Sequence, residues 1–222
     1  MPIFNSEYKS FSTWQPKYTP NEHTLLYMPF TEDMLDHSGN NRSVSSDTGR
    51  IKNWCYFNDT ADKSKQWFTV ENMPALWDFT TTYIEKKTGT YASQNQASFL
   101  YAWWNQIHTV DFVTRFRFWI WWWDNDPRTP SNWADVWRLL TFVVSWNTFN
   151  FYINWSLISS ASRSHSQPAW NHYYLWYWGN AYLPLMWYVA ELVQEDVART
   201  AQQVSDYYNN LIQYFPNTFP SS

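Results

Sequence analysis

Glycine is scarce: 222 residues hold 4 of them. Average usage of about 7% would give roughly 16. Nucleotide-binding loops and nucleophile elbows of the P-loop, G-x-G-x-x-G and G-x-S-x-G kinds need closely spaced glycines. None of these motifs occurs. Cysteine is scarcer still. Cys55 is alone, which excludes an internal disulfide framework and a multi-cysteine metal site. There is no basic excess either: 15 Lys and Arg stand against 19 Asp and Glu, a formal charge of −4. Non-specific nucleic-acid binding needs a basic patch, so nucleic acid is not an expected partner. No uninterrupted apolar run reaches the roughly 18 residues of an ordinary membrane span. The first thirty residues lack a basic start followed by an apolar stretch, so no cleavable signal peptide is expected.

Aromatic residues fill the gap: 18 Trp, 16 Tyr and 15 Phe. Large aromatics dominate core burial, and Tyr and Trp are enriched where proteins meet. This much aromatic surface fits a chain that is covered by neighbours in an assembly.

Short apolar runs separated by turn residues predict many strands. Thr24 to Phe30 is the first, closed by Asp36-His37-Ser38-Gly39-Asn40-Asn41, a turn signal. Val44, Trp54 to Phe57, Phe68 to Val70 and Thr80 to Tyr83 mark further strands. Residues 91–106 read as a long loop or short helix. Val110 to Trp123 reads as one long strand, with Phe112, Phe116, Phe118, Ile120 and Trp122 on even positions and Thr114 sharing that face. Asp124-Asn125-Asp126-Pro127 then forms a loop. Val136 to Ser145, Thr148 to Ile153, Leu157 to Ala161, Trp170 to Trp178 and Trp187 to Val193 complete the strands.

The end differs in kind. Thr200-Ala201-Gln202-Gln203 fits a helix cap with Gln at the third helical position. Ala201, Val204, Tyr207, Tyr208 and Leu211 then recur at helical spacing. Strands without intervening helices argue for an all-β antiparallel sandwich rather than an α/β fold. The expected organisation is an N-terminal arm over 1–22, a sandwich over 23–215 and a tail over 216–222.

Several segments, in order, resemble the laminin-G-like, concanavalin A-like jelly-roll family. Leu25-Leu26-Tyr27-Met28-Pro29-Phe30 with Asp36-His37-Ser38-Gly39-Asn40 is similar to its opening strand and turn. Tyr56-Phe57-Asn58, Asp111-Phe112 to Trp119-Ile120, and Phe151-Tyr152-Ile153-Asn154 with Ser156-Leu157 follow. Trp170-Asn171-His172-Tyr173 with Gly179-Asn180, and Trp187 to Glu191 with the tail from Asp196 to Val204, close the series. The likeness covers roughly residues 24–212. It departs where the family has hairpin or strand-start glycines: Trp155, Asp59 and Trp187 stand there. A type I′ turn puts both central residues at positive φ, which Trp resists. Either the hairpin at Trp155 uses a longer loop, or the sequence is not that of a natural gene at this position.

The resemblance implies a rigid scaffold whose end loops bind glycans, proteins or lipids, often with calcium at the rim. Calcium wants several oxygen ligands. Asp124, Asn125 and Asp126 form one cluster, and Asp33, Asp36 and Asn40 another; both also fit ordinary turn capping. A glycan platform would use Trp121, Trp123 and Trp133 around Asp124, Asp126 and Arg128. His172 reads as a strand-end structural residue. His23, His37, His108 and His165 lack metal-ligand spacing. Cys55, in an aromatic strand, reads as an inert buried thiol.

Catalysis is not expected. Glycosidases of this architecture set close carboxylates on one strand, whereas Glu71, Glu85, Glu191 and Glu195 are scattered. The leading expectation is a non-enzymatic structural or decorating component of a large assembly such as a virus particle. Its partners would be protein subunits, and its location a virion or extracellular surface. The alternative is a free-standing carbohydrate-binding lectin domain, and a glycoside hydrolase comes third.

Overall fold

The computed structural model describes residues 18–46, 50–52, 55–58, 68–88, 95–102, 105–112, 115–120, 123–125, 137–146, 148–162, 173–174, 176–177 and 186–212. The first strands are β1 (Thr24–Met28), β2 (Val44–Ser46), β3 (Arg50–Lys52), β4 (Cys55–Asn58) and β5 (Phe68–Val70). Then come β6 (Phe79–Thr88), β7 (Asn95–Ala102), β8 (Asn105–Phe112), β9 (Arg115–Ile120) and β10 (Trp123–Asn125). The last are β11 (Arg138–Ser145), β12 (Thr148–Ile153), β13 (Ser156–Ser162), β14 (Tyr173–Tyr174), β15 (Trp176–Tyr177) and β16 (Met186–Glu195). One helix, α1 (Ala201–Ile212), follows.

Among the described residues every strand pairing is antiparallel. Eight strands form the main sheet in the order β13-β12-β11-β6-β16-β4-β3, with β1 also on β16. Along one side β16 pairs with β6. On the other, β4 meets Trp187 to Val189 and β1 meets Leu192 to Glu195. A five-stranded sheet runs β10-β9-β8-β7-β15, and a three-stranded one β14-β5-β2.

The main sheet is apolar on both faces. On β11 the run Leu139-Leu140-Thr141-Phe142-Val143-Val144 is wholly buried, as a continuous apolar strand predicts. Leu140, Phe142 and Val144 join Phe79, Tyr83, Phe149, Phe151 and Leu192 in the larger core, with Val70 of β5 in the same cluster. The stacked rings of Phe142 and Phe151, 4.9 Å apart, centre it. The other face is roofed by α1. There Ile84, Leu139 and Ala190 pack with Tyr208 and Leu211, and Val143 and Tyr152 pack with Val204.

Two local devices hold this roof. The Thr200 hydroxyl accepts from the Gln203 N–H at 3.2 Å, and the Gln203 side-chain oxygen accepts from the Thr200 N–H at 2.8 Å. This is the capping box read from the sequence. In β16 the register slips between Val189 and Glu191. The extra residue, Ala190, packs on the helix side, and Glu191 also meets the helix through Tyr207. A bulge therefore turns two successive residues to one face.

The hairpin at Trp155 is short. Ile153 pairs with Ser156, leaving Asn154 and Trp155 between the strands. Asn154 has φ +58°, whereas Trp155 is not among the positive-φ residues. Positive φ at the first central residue alone is the pattern of a type II′ turn, so Trp155 needs neither a longer loop nor a strained backbone. The Asn154 side-chain oxygen accepts from the Leu139 N–H at 3.1 Å, and the Asn154 backbone N–H donates to the Leu139 carbonyl at 2.7 Å.

Four expectations need correction. Within 91–106, read as a loop or short helix, residues 95–102 form β7 and 105–106 open β8. The supposed long strand from Val110 to Trp123 is parts of β8, β9 and β10, folded back twice. Phe112 stands opposite Arg115 and Asp111 opposite Phe116, so the even-numbered aromatics do not run on as one row. The stretch from Trp170 to Trp178 supplies β14 and β15, in different sheets. On α1, Ala201 is exposed rather than part of the buried stripe.

Thr200→Ala is expected to lower stability by about 1 kcal/mol in urea denaturation, with Thr200→Ser close to wild type. Asn154→Ala removes a buried acceptor and places an ordinary residue at positive φ, an expected loss of about 2–3 kcal/mol. Asn154→Gly relieves the backbone part, and the difference between the two variants measures it.

Candidate functional site

The register that builds the core also brings two tryptophans together at its edge. Phe79 pairs with Val144, and Ser145 with Thr148. The residues just before β6 therefore meet the turn that follows β11. Trp77 and Trp146 stack there, with ring centres 4.6 Å apart and planes inclined by 22°. Both remain open to solvent, 49% and 65% exposed. Asp78 braces the turn, because its Oδ1 accepts from the Trp146 backbone N–H at 2.6 Å. The result is a paired aromatic surface with an exposed carboxylate beside it. Aromatic faces of this sort, with a few fixed polar groups, are what small ligands dock on.

A second polar constellation lies between β1, β16 and α1. Tyr27 Oη donates to Glu191 Oε2 at 3.4 Å, and Tyr207 Oη donates to Glu191 Oε1. Glu195 Oε1 accepts from Tyr18 Oη and from Arg199 Nη2, each at 2.9 Å. Arg199 Nε lies 2.5 Å from Glu195 Oε2. The guanidinium also sits over the Tyr207 ring, 4.5 Å from its centre. Burial, then the Glu191 charge, pushes the phenols of Tyr27 and Tyr207 well up. Burial also pushes up Tyr18, against the Thr24 hydroxyl, which favours ionisation. Burial disfavours the Arg199 charge, but Glu195 outweighs it and holds the group charged. Glu85 is likewise buried and paired, accepting from Arg138 Nε at 2.8 Å and Nη2 at 2.7 Å. Glu85, Glu191 and Glu195, scattered in the sequence, thus tie elements together.

The cluster at Asp33, Asp36 and Asn40 closes a turn. Asp36 Oδ1 accepts from the N–H groups of Tyr27 (3.1 Å) and Ser38 (2.9 Å), and Oδ2 from Arg42 N–H (3.1 Å) and Ser38 Oγ (2.9 Å). Asn40 donates to the carbonyls of Thr24 and Leu25. Gly39 takes φ +92°, where a glycine is needed. Asp33 pairs with His37 Nε2 at 2.9 Å and accepts from Leu35 N–H. Burial raises the Asp33 carboxyl, but these bonds outweigh it and leave it below its ordinary value. These oxygens are occupied by turn donors, as the ordinary reading has it. Cys55 is buried, and burial pushes its thiol well up, so it has the inert character expected of it.

Three of the expected site residues, Trp123, Asp124 and Asn125, fall among the described residues. Trp123, Asp124 and Asn125 lie on β10, opposite Ile120, Trp119 and Phe118. Asp124 and Asn125 are therefore strand residues rather than loop residues. Trp121, Asp126, Arg128 and Trp133 lie outside the described residues, as do His165 and His172. Among the described residues, no three His, Cys, Asp or Glu side chains gather to hold a metal ion. No described helix is long and apolar enough to cross a membrane.

Sequence reasoning passed over Trp77 and Trp146. A signal was present: Trp146-Asn147 separates two strands, a position where small polar residues are usual.

No protein-family model matches the chain, and no curated protein does either. Its fold is similar to those of several toxin binding domains. The receptor-binding domain of botulinum neurotoxin D superposes with a TM-score of 0.71 at 10% identity, covering 86% of this chain and 53% of that one. A structure of botulinum neurotoxin type C, whose cell entry depends on interaction with two ganglioside molecules, gives 0.67 at 10% identity, covering 85% and 51%. The binding domain of Paraclostridial Mosquitocidal Protein 1 gives 0.66 at 14% identity, covering 86% and 52%. The chain spans about half the length of these domains, and at such identities the likeness is one of fold.

Tyr18, Tyr27 and Tyr207 have folded-state pKa values above those of the unfolded chain. Their contribution is complete below about pH 10 and is lost as pH rises further. The urea midpoint is expected to fall as pH climbs past about 10, and Tyr207→Phe to make that fall shallower.

Proposed function

We propose that the chain is a non-enzymatic recognition module that binds glycans, built as a concanavalin A-like jelly-roll sandwich. The exposed Trp77–Trp146 stack carries this reading. Buried aromatics need no ligand to account for them. A stacked pair left open in a turn presents flat apolar faces of the size of a pyranose ring, and exposed aromatic surface of this kind marks interaction sites. The likeness to toxin binding domains supports a binding role, and the ganglioside dependence of the type C toxin supports a glycan as the class of ligand. Apolar burial on both faces of the main sheet, and the Asp36 to Asn40 turn, support the jelly-roll architecture. In this reading residues 1–22 form an arm, 23–215 the sandwich and 216–222 a tail. Trp121, Trp123, Asp124, Asp126, Arg128 and Trp133 would form a second glycan contact, with calcium at Asp124, Asn125 and Asp126.

One observation favours a second reading, a decorating or structural subunit of an assembly such as a virion. Among the described residues β13 ends the main sheet, and Trp155 just before it and Leu157 within it are exposed. Edge strands invite pairing with another chain.

A glycan array probed with and without calcium tests the proposal. Trp146→Ala is expected to lower binding about tenfold, the loss of about one aromatic stacking contact. Unchanged binding by this variant overturns the glycan role of the stack. A flat array, together with concentration-dependent oligomers, favours the assembly reading.

A further inference from the structure

We infer that Asp78 makes the Trp77–Trp146 platform selective for neutral sugars over acidic ones, an inference that rests on the glycan reading above. Asp78 cannot leave the platform. It adjoins Trp77 in the chain, and its Oδ1 is committed to the Trp146 N–H at 2.6 Å. Its Oδ2 has no hydrogen-bond or ion-pair partner among the described residues, and the residue is exposed. A sugar lying on the indoles therefore meets a fixed carboxylate oxygen at its rim. That oxygen accepts from a hydroxyl, which every neutral pyranose offers. It has no proton to donate to an acid. A carboxylate on the ligand, as in sialic acid, meets a like charge that no cation among the described residues neutralises. The net charge of −4 adds to the repulsion at longer range. Two unit charges about 4 Å apart at a watery surface disfavour each other by about fivefold in affinity. The platform thus takes neutral hexoses, held by their C–H faces and one hydroxyl, and turns away sialylated ends; of a ganglioside it would take the neutral sugars and not the sialic acid.

The test uses the full chain on immobilised lactose, maltose, mannobiose and sialyl-lactose. Wild type is expected to hold at least one neutral sugar about fivefold better than sialyl-lactose. Asp78→Asn keeps an Oδ1 acceptor for the Trp146 N–H and removes the charge, so it is expected to close that gap with an unchanged melting temperature. The wild-type preference is also expected to shrink as salt rises from about 0.05 M to 0.5 M, because exposed charges are screened. This second measurement does not depend on any variant folding. Equal wild-type binding of lactose and sialyl-lactose overturns the inference. So does a preference that neither salt nor Asp78→Asn alters. If Trp146→Ala abolishes binding while Asp78→Asn leaves the preference intact, the platform stands and the selectivity falls. If Trp146→Ala retains neutral-sugar binding, or wild type holds none of the neutral sugars, the platform itself falls.

Discussion

The antiparallel pairing of β6 with β11 is the interaction on which the remainder depends. It runs from Arg138 opposite Glu85 to Val144 opposite Phe79. Within it, one face supplies Phe79, Tyr83, Leu140 and Phe142 to the larger core, and the other supplies Ile84, Leu139 and Val143 to the space under α1. The same register fixes what stands at its two ends. One end holds the buried Glu85–Arg138 pair, whose members stabilise only together, since a lone buried charge is strongly unfavourable. The other end delivers Trp77 and Trp146 to a common spot. Core and surface are set by one alignment.

Much of this was legible in the sequence, and for physical reasons. Phe68 to Val70 and Thr148 to Ile153 match β5 and β12 because short β-branched and aromatic runs bounded by polar residues have few other uses. The Thr200–Gln203 box is local chemistry and needed no tertiary knowledge. The Asp36 to Asn40 turn was readable on the same ground. The reversals after Phe112 and Ile120 were not. Between β8 and β9 the sequence reads Val113-Thr114, and between β9 and β10 Trp121-Trp122, dipeptides with none of the residues that announce a turn. A glycine-poor chain gives away few of its corners. The Trp155 hairpin shows how such a chain copes: asparagine takes the left-handed position, and the bulky neighbour avoids it.

The candidate site was harder to read than the fold. With 18 tryptophans, composition cannot say which are left in the open. Exposure depends on register across strands distant in sequence: β6 lies almost sixty residues from β11. The cluster of acids and tryptophans around Asp124 drew attention because its members are neighbours along the chain. The Trp77–Trp146 pair became visible only once Phe79 was known to face Val144.

The bulge at Ala190 has a bearing on how β16 finds its place. After it, Leu192 and Gln194 point into the larger core, while Glu191 and Glu195 meet tyrosines and Arg199 on the helix side. Were β16 to run regular through Ala190, every later side chain would change sides. Two carboxylates would then leave the tyrosines and Arg199 for a largely apolar interior, each at a cost of several kcal/mol. Glu191 and Glu195 thus mark the alignment of β16: only the bulged register keeps both acids on the side where tyrosines and Arg199 meet them.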